Sequence, residues 1–67
     1  MSVAKVIEII SESPDSMEDA VQKGLEKAAC TLDGIKGAWL SETKVVTGPD
    51  GIITAWRVCM RVSFQLD

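Results

Sequence analysis

No histidine and no tyrosine occur in these 67 residues, and there are only two cysteines, two prolines and one phenylalanine. Without histidine the chain lacks the commonest general base and the commonest metal ligand. Two thiols, Cys30 and Cys59, 29 residues apart, cannot close a zinc site without other soft ligands. A disulfide between them is allowed by the count but not implied, because nothing marks the chain as secreted. No nucleophile–base pair and no phosphate-cradling glycine loop are present, so there is no catalytic constellation to assign and an enzyme is not expected. No apolar run approaches the roughly 20 residues of a membrane span. The start, Met1-Ser2-Val3-Ala4-Lys5, lacks the basic stretch and apolar run of a signal peptide, so a cytoplasmic location is expected. Net charge is −3 and the seven basic residues are scattered, which argues against nucleic acid as a partner.

What is present in quantity is apolar surface. Hydrophobic residues make up 46% of the chain, and mean hydropathy is positive. A domain this small buries only about 60% of the surface its unfolded chain exposes. Such chains are usually stabilised by disulfides, a metal or oligomerisation. With the first two disfavoured, part of the apolar surface is expected to lie between subunits.

The residues predict a single domain over 1–67 of the α+β class, ordered β-α-β-β. Residues 3–10 are rich in β-branched residues and read as a strand. Ser11 to Asp15, with Pro14, reads as a loop. Ser16 before Met17-Glu18-Asp19 is a helix start: a hydroxyl cap with acids at the positive end of the dipole. The helix is expected to run to about Leu32. Met17, Ala20, Val21, Gly24, Leu25, Ala28 and Leu32 form one apolar stripe, and Gly34 is a plausible stop.

Residues 36–47 and 52–66 read as two further strands, joined in a hairpin through Gly48-Pro49-Asp50-Gly51. The last strand alternates. Trp56, Val58, Met60, Val62 and Phe64 are expected to pack on the helix with Ile7 and Ile9, while Arg57, Cys59, Arg61, Ser63 and Gln65 face away. That second face has no helix to cover it, yet is expected to carry Val6, Ile10, Trp39, Val45 and Cys59. A half-apolar uncovered face on a marginal domain suggests closed, symmetric contact with copies of the same chain.

The same segments resemble the dodecin family. Lys5-Val6-Ile7-Glu8-Ile9-Ile10 is similar to the family's first strand. Ser13-Pro14-Asp15-Ser16-Met17-Glu18-Asp19-Ala20 is similar to its loop and helix start, and Arg61-Val62-Ser63-Phe64-Gln65-Leu66 to its closing strand. The likeness spans about residues 3–67. It implies a three-stranded antiparallel sheet packed around one helix, assembled as a hollow homododecamer. It also implies a non-enzymatic role: binding riboflavin or FMN between subunits for storage or sequestration. Twelve copies would carry a formal charge of 12 × −3 = −36.

The family's flavin pocket is altered here. Its stacking tryptophan opens the second strand, where this chain has Gly37-Ala38-Trp39-Leu40, so that position is Gly37 and the family's acid is Trp39. Its flavin-bonding glutamine corresponds to Arg57. Trp39, about 7 Å along the same strand face from Gly37, is either a displaced stacking platform or a filler of the subunit interface. Arg57 is either a clamp for a ring, phosphate or carboxylate, or the ion-pair partner of an acid such as Glu42. In the alternative reading the assembly binds no flavin and serves as a structural, ion- or metabolite-binding shell. Glu8, Glu12, Asp15 and Asp19 are the acids that would gather magnesium or calcium on a symmetry axis; otherwise they are solvated surface groups.

Overall fold

The computed structural model describes residues 3–66. Four elements follow in the order expected: β1 (Ala4–Ser13), α1 (Met17–Ala29), β2 (Ile35–Thr47) and β3 (Ile53–Gln65). The strands form one antiparallel sheet in the order β1-β3-β2, with β3 in the centre. Both outer strands therefore present unpaired backbone along one edge.

β1 runs three residues further than its composition suggests. Ser11, Glu12 and Ser13 pair with Val58, Arg57 and Trp56, so the expected loop shrinks to the segment around Pro14. The extension is held from the helix side. The buried Ser13 hydroxyl donates to an Asp19 carboxylate oxygen at 2.6 Å and accepts from the Asp15 backbone N–H at 3.0 Å. Ser16 caps α1 as expected, its hydroxyl accepting from the Asp19 N–H at 2.9 Å.

The helix ends at Ala29, short of Leu32. The Thr31 and Leu32 N–H groups both turn back to the Ala28 carbonyl. Gly34 is not the helix stop; at φ +74° it sets the entry to β2, and its carbonyl accepts from the Gln65 N–H. The hairpin turn closes through the Gly51 N–H to the Gly48 carbonyl, with Gly51 at φ +81° and Asp50 accepting from the Ile52 N–H.

The helix packs across β1 and β3. Ala20, Val58, Met60 and Val62 form the fully buried core, with Ile7, Ile9, Met17, Val21, Leu25 and Ile35 packed around it. Each buried aliphatic side chain contributes about 1.5–3 kcal/mol, so this is a small core. Among the described residues nine large hydrophobic side chains remain exposed, including Val6, Ile10, Trp39 and Leu40.

Two faces of the sheet are thereby distinguished, and β2 changes which side chains it offers to each. Leu40 pairs with Met60 and Glu42 with Cys59, leaving Ser41 as an extra, bulged residue. The Ser41 hydroxyl donates to the Cys59 carbonyl at 3.1 Å. One inserted residue inverts the alternation beyond it. Trp39, Glu42 and Lys44 consequently share the uncovered face, while Val45 pairs with Trp56 and lies on the helix side. The expectation that Val45 lies on the uncovered face with Trp39 fails for this reason.

Candidate functional site

The uncovered face can be read as rows running across the three strands. The register places Val6, Ser63 and Gly37 in one row, and Glu8, Arg61 and Trp39 in the next. Ile10, Cys59 and Glu42 follow, then Glu12, Arg57 and Lys44. Small side chains thus lie directly beside a row of long ones.

Trp39 is the aromatic residue of this face, and 55% of it is exposed. Trp56, paired with Ser13 and Val45, lies on the helix side and is partly buried there. The Arg61 guanidinium carbon lies 5.8 Å from the Trp39 ring centroid, within cation–π range. A Cβ added at Gly37 would meet nothing within 4 Å. The Ser63 hydroxyl donates to the Gly37 carbonyl at 3.2 Å and fixes the strand there.

Arg57 stands elsewhere. Its Nη2 lies 2.8 Å from Glu12 Oε1, and its Nε donates to the same oxygen at 2.9 Å. The expected partner, Glu42, instead pairs with Cys59, and the residue opposite Arg57 on β2 is Lys44. The bulge at Ser41 does bring Glu42 onto the same face as Arg57, one row away. Gly37 sits opposite Ser63, six positions along β3 from Arg57, which is about 20 Å at the rise of a strand. One chain therefore brings Gly37 and Trp39 together but not Arg57; a pocket using all three needs a second copy.

The acids do not converge within the chain. The Glu12 carboxylate is taken by Arg57, and that of Asp19 accepts from the Ser13 hydroxyl. Among the described residues no group of three or more His, Cys, Asp or Glu side chains could hold a metal ion. Cys30 is exposed and its thiol donates weakly to the Glu26 carbonyl; Cys59 is half-buried on the uncovered face. Both are free thiols. No helix is long and apolar enough to cross a membrane.

A concavity of about 440 Å³ lies between α1 and β1. Its lining is mostly aliphatic, including Ile7, Ile9 and Leu32, with Lys23 and Lys27. It contains no aromatic ring, so a flat ligand finds no stacking partner there.

Arg61 is the residue that sequence reading passed over. The alternation of β3 places it on the uncovered face, but only the register of β2 sets it beside Trp39.

The Dodecin family model matches residues 3–67, nearly the whole chain. The chain belongs to the dodecin family. It is 38% identical over 66 residues to the calcium dodecin of Mycobacterium tuberculosis, covering 98% of this chain and 92% of that one. Among solved structures, the dodecin of Streptomyces davaonensis superposes with a TM-score of 0.91 at 30% identity, covering 98% of this chain and 96% of its own. A dodecin variant from T. thermophilus gives a TM-score of 0.91 at 27% identity, covering 100% and 98%. The crystal structure of the Mycobacterium tuberculosis calcium dodecin, described as calcium chelating with a calcium-binding site, gives 0.83 at 35% identity, covering 98% and 93%. The dodecin fold expected from the strand and helix segments is therefore present, with α1 against one face of the sheet and the Trp39 face left open.

Proposed function

We propose that this dodecin is one subunit of a symmetric, non-enzymatic homo-oligomer of twelve copies that binds a small ligand between its uncovered sheet faces. The observation that carries this is Trp39, more than half exposed on a sheet face that no helix covers, with Val6 and Ile10 exposed on the same face. A core of four fully buried residues does little to hold so small a chain alone, and copies that cover this face would supply the missing burial. The ligand of this reading is a flavin, riboflavin or FMN, stored or sequestered with its flat ring against Trp39. Stacking of that kind is worth about 0.5–1.5 kcal/mol beyond area burial. The free thiols accord with a reducing, cytoplasmic location.

A second reading is favoured by Arg57 and Gly37. Arg57 is engaged by Glu12, and Gly37 offers no ring. In that case the shell binds no flavin and holds ions, as the name of the calcium dodecin suggests for that relative. Glu8, Glu12 and Glu42 share the uncovered face, and symmetry would bring their copies together.

Sedimentation and a flavin titration test these readings. Twelve chains of 7.2 kDa sediment at about 86 kDa; a mass near that of one chain sinks the shell in either form. Quenching of riboflavin or FMN fluorescence at micromolar protein supports the flavin reading. No quenching by the assembled protein removes it, and calorimetric titration with calcium then tests the second.

A further inference from the structure

We infer that the Trp39–Arg61 pair forms a cationic aromatic clamp that selects a planar ligand carrying a negative charge, so that a flavin monophosphate is preferred over the uncharged flavin. This rests on the flavin reading of the uncovered face and adds the charge of the ligand to it.

The step between two rows supplies the shape. Val6, Ser63 and Gly37 form a low row, and a Cβ added at Gly37 would meet nothing within 4 Å. Arg61 and Trp39 rise beside it from neighbouring strands, 5.8 Å apart from guanidinium carbon to ring centroid. A flat ring laid on the low row meets the indole at its side, with the guanidinium next to it.

The charge state of the two arginines supplies the selectivity. Arg57 and Arg61 lie on the same face, each opposite a glutamate of β1: Glu12 and Glu8 respectively. Among the described residues the one ion pair is Arg57 with Glu12. Arg61 turns instead over the Trp39 ring and keeps its planar donor fork free of a carboxylate. A guanidinium held over an aromatic ring is already oriented, and its fork matches phosphate or carboxylate oxygens. The net negative charge of the chain opposes an anion at long range, but that field is screened beyond about 8 Å at physiological salt.

The test titrates assembled protein with riboflavin and with FMN at physiological salt, following flavin fluorescence. FMN is expected to bind about tenfold more tightly, the value of one charge-assisted hydrogen bond. Arg61→Gln should remove that preference, bringing the FMN and riboflavin affinities of the variant together, while Arg61→Lys should retain part of it. Glu8→Gln, which removes the opposing acid, should widen the preference; this variant and Arg61→Lys decide the matter if Arg61→Gln fails to assemble. Equal affinity for the two flavins, or an FMN preference that survives Arg61→Gln, overturns the clamp while leaving the flavin reading intact. Binding of neither flavin by assembled protein overturns both.

Discussion

Gly24 of the helix lies so close to Ser11 of β1 that a Cβ added at Gly24 would stand 2.8 Å from the Ser11 Cβ. The same atom would stand 2.7 Å from Met60 Cε, but that contact is with the free end of a flexible side chain. Ser11 cannot withdraw in that way, because its Cβ is fixed to a paired strand. Gly24→Ala would ordinarily strengthen a helix by about 1 kcal/mol. Here the overlap outweighs that gain, and a net loss of about 1–2 kcal/mol is expected. Denaturant unfolding at fixed subunit concentration measures it. Stabilisation would show instead that α1 can lift from β1 freely.

Ser13 joins the end of β1 to the start of α1 through Asp19 and the Asp15 N–H. Ser13→Ala leaves both groups without their partner in a partly buried setting, and should cost about 0.5–1.5 kcal/mol. Ser16→Ala removes the cap on the same turn and should cost about 1 kcal/mol. The two share Asp19, so the double variant is expected to deviate from additivity. Thermal unfolding of the four proteins checks this, and strict additivity would mean that the two contacts act separately.

Much of the fold was legible because single residues carry their reasons with them. The Ser16 cap, the turn at Asp50 and Gly51, and the alternation of Val58, Met60 and Val62 each depend on local chemistry. What was not legible depends on pairing. Ser41 carries no mark of a bulge, since serine is tolerated in strands and loops alike. Its insertion nevertheless moves Val45 to the helix face and Glu42 to the uncovered one. The candidate site suffered most. Trp39 was found from its position, but Arg61 became its neighbour only through the register of two strands distant in sequence, and Arg57 turned to β1 rather than β2.

The Arg57–Glu12 pair reports whether the open face stays open. Its side chains are 44% and 46% exposed in the single chain. Exposed pairs of this kind couple by about 0–1 kcal/mol, and salt weakens them. If copies cover this face, the pair leaves water and the coupling should exceed about 1 kcal/mol, with little salt dependence. A double-mutant cycle of Arg57→Ala and Glu12→Ala at low and high salt gives the number. A weak, salt-sensitive coupling would leave the face solvated.

Ile10 tests the same surface without touching the core. It is 69% exposed and lies between Glu8 and Glu12 on the open side of β1. Ile10→Glu removes little packing within the chain, so a lone subunit should keep its secondary structure. An assembly that buries Ile10 cannot accept an unpaired carboxylate there, and dissociation or a cost of several kcal/mol is expected. Sedimentation mass with circular dichroism separates the cases. An unchanged mass would place the contacts between copies elsewhere.

Gly37 offers the sharpest change toward the family's pocket. Its φ is not positive, and nothing lies within 4 Å of a Cβ added there, so the backbone accepts a side chain at this position. Gly37→Trp would place a second indole on the face of Trp39, about 7 Å along the strand. Riboflavin affinity should rise about two- to tenfold from stacking alone. Gly37→Leu, which adds apolar area without a ring, should give a smaller rise. Fluorescence titration of the two variants against the parent chain reads the difference. If Gly37→Trp assembles and binds no more riboflavin than Gly37→Leu, flat rings are not received on this face, and the exposed indole of Trp39 belongs to the contact between copies.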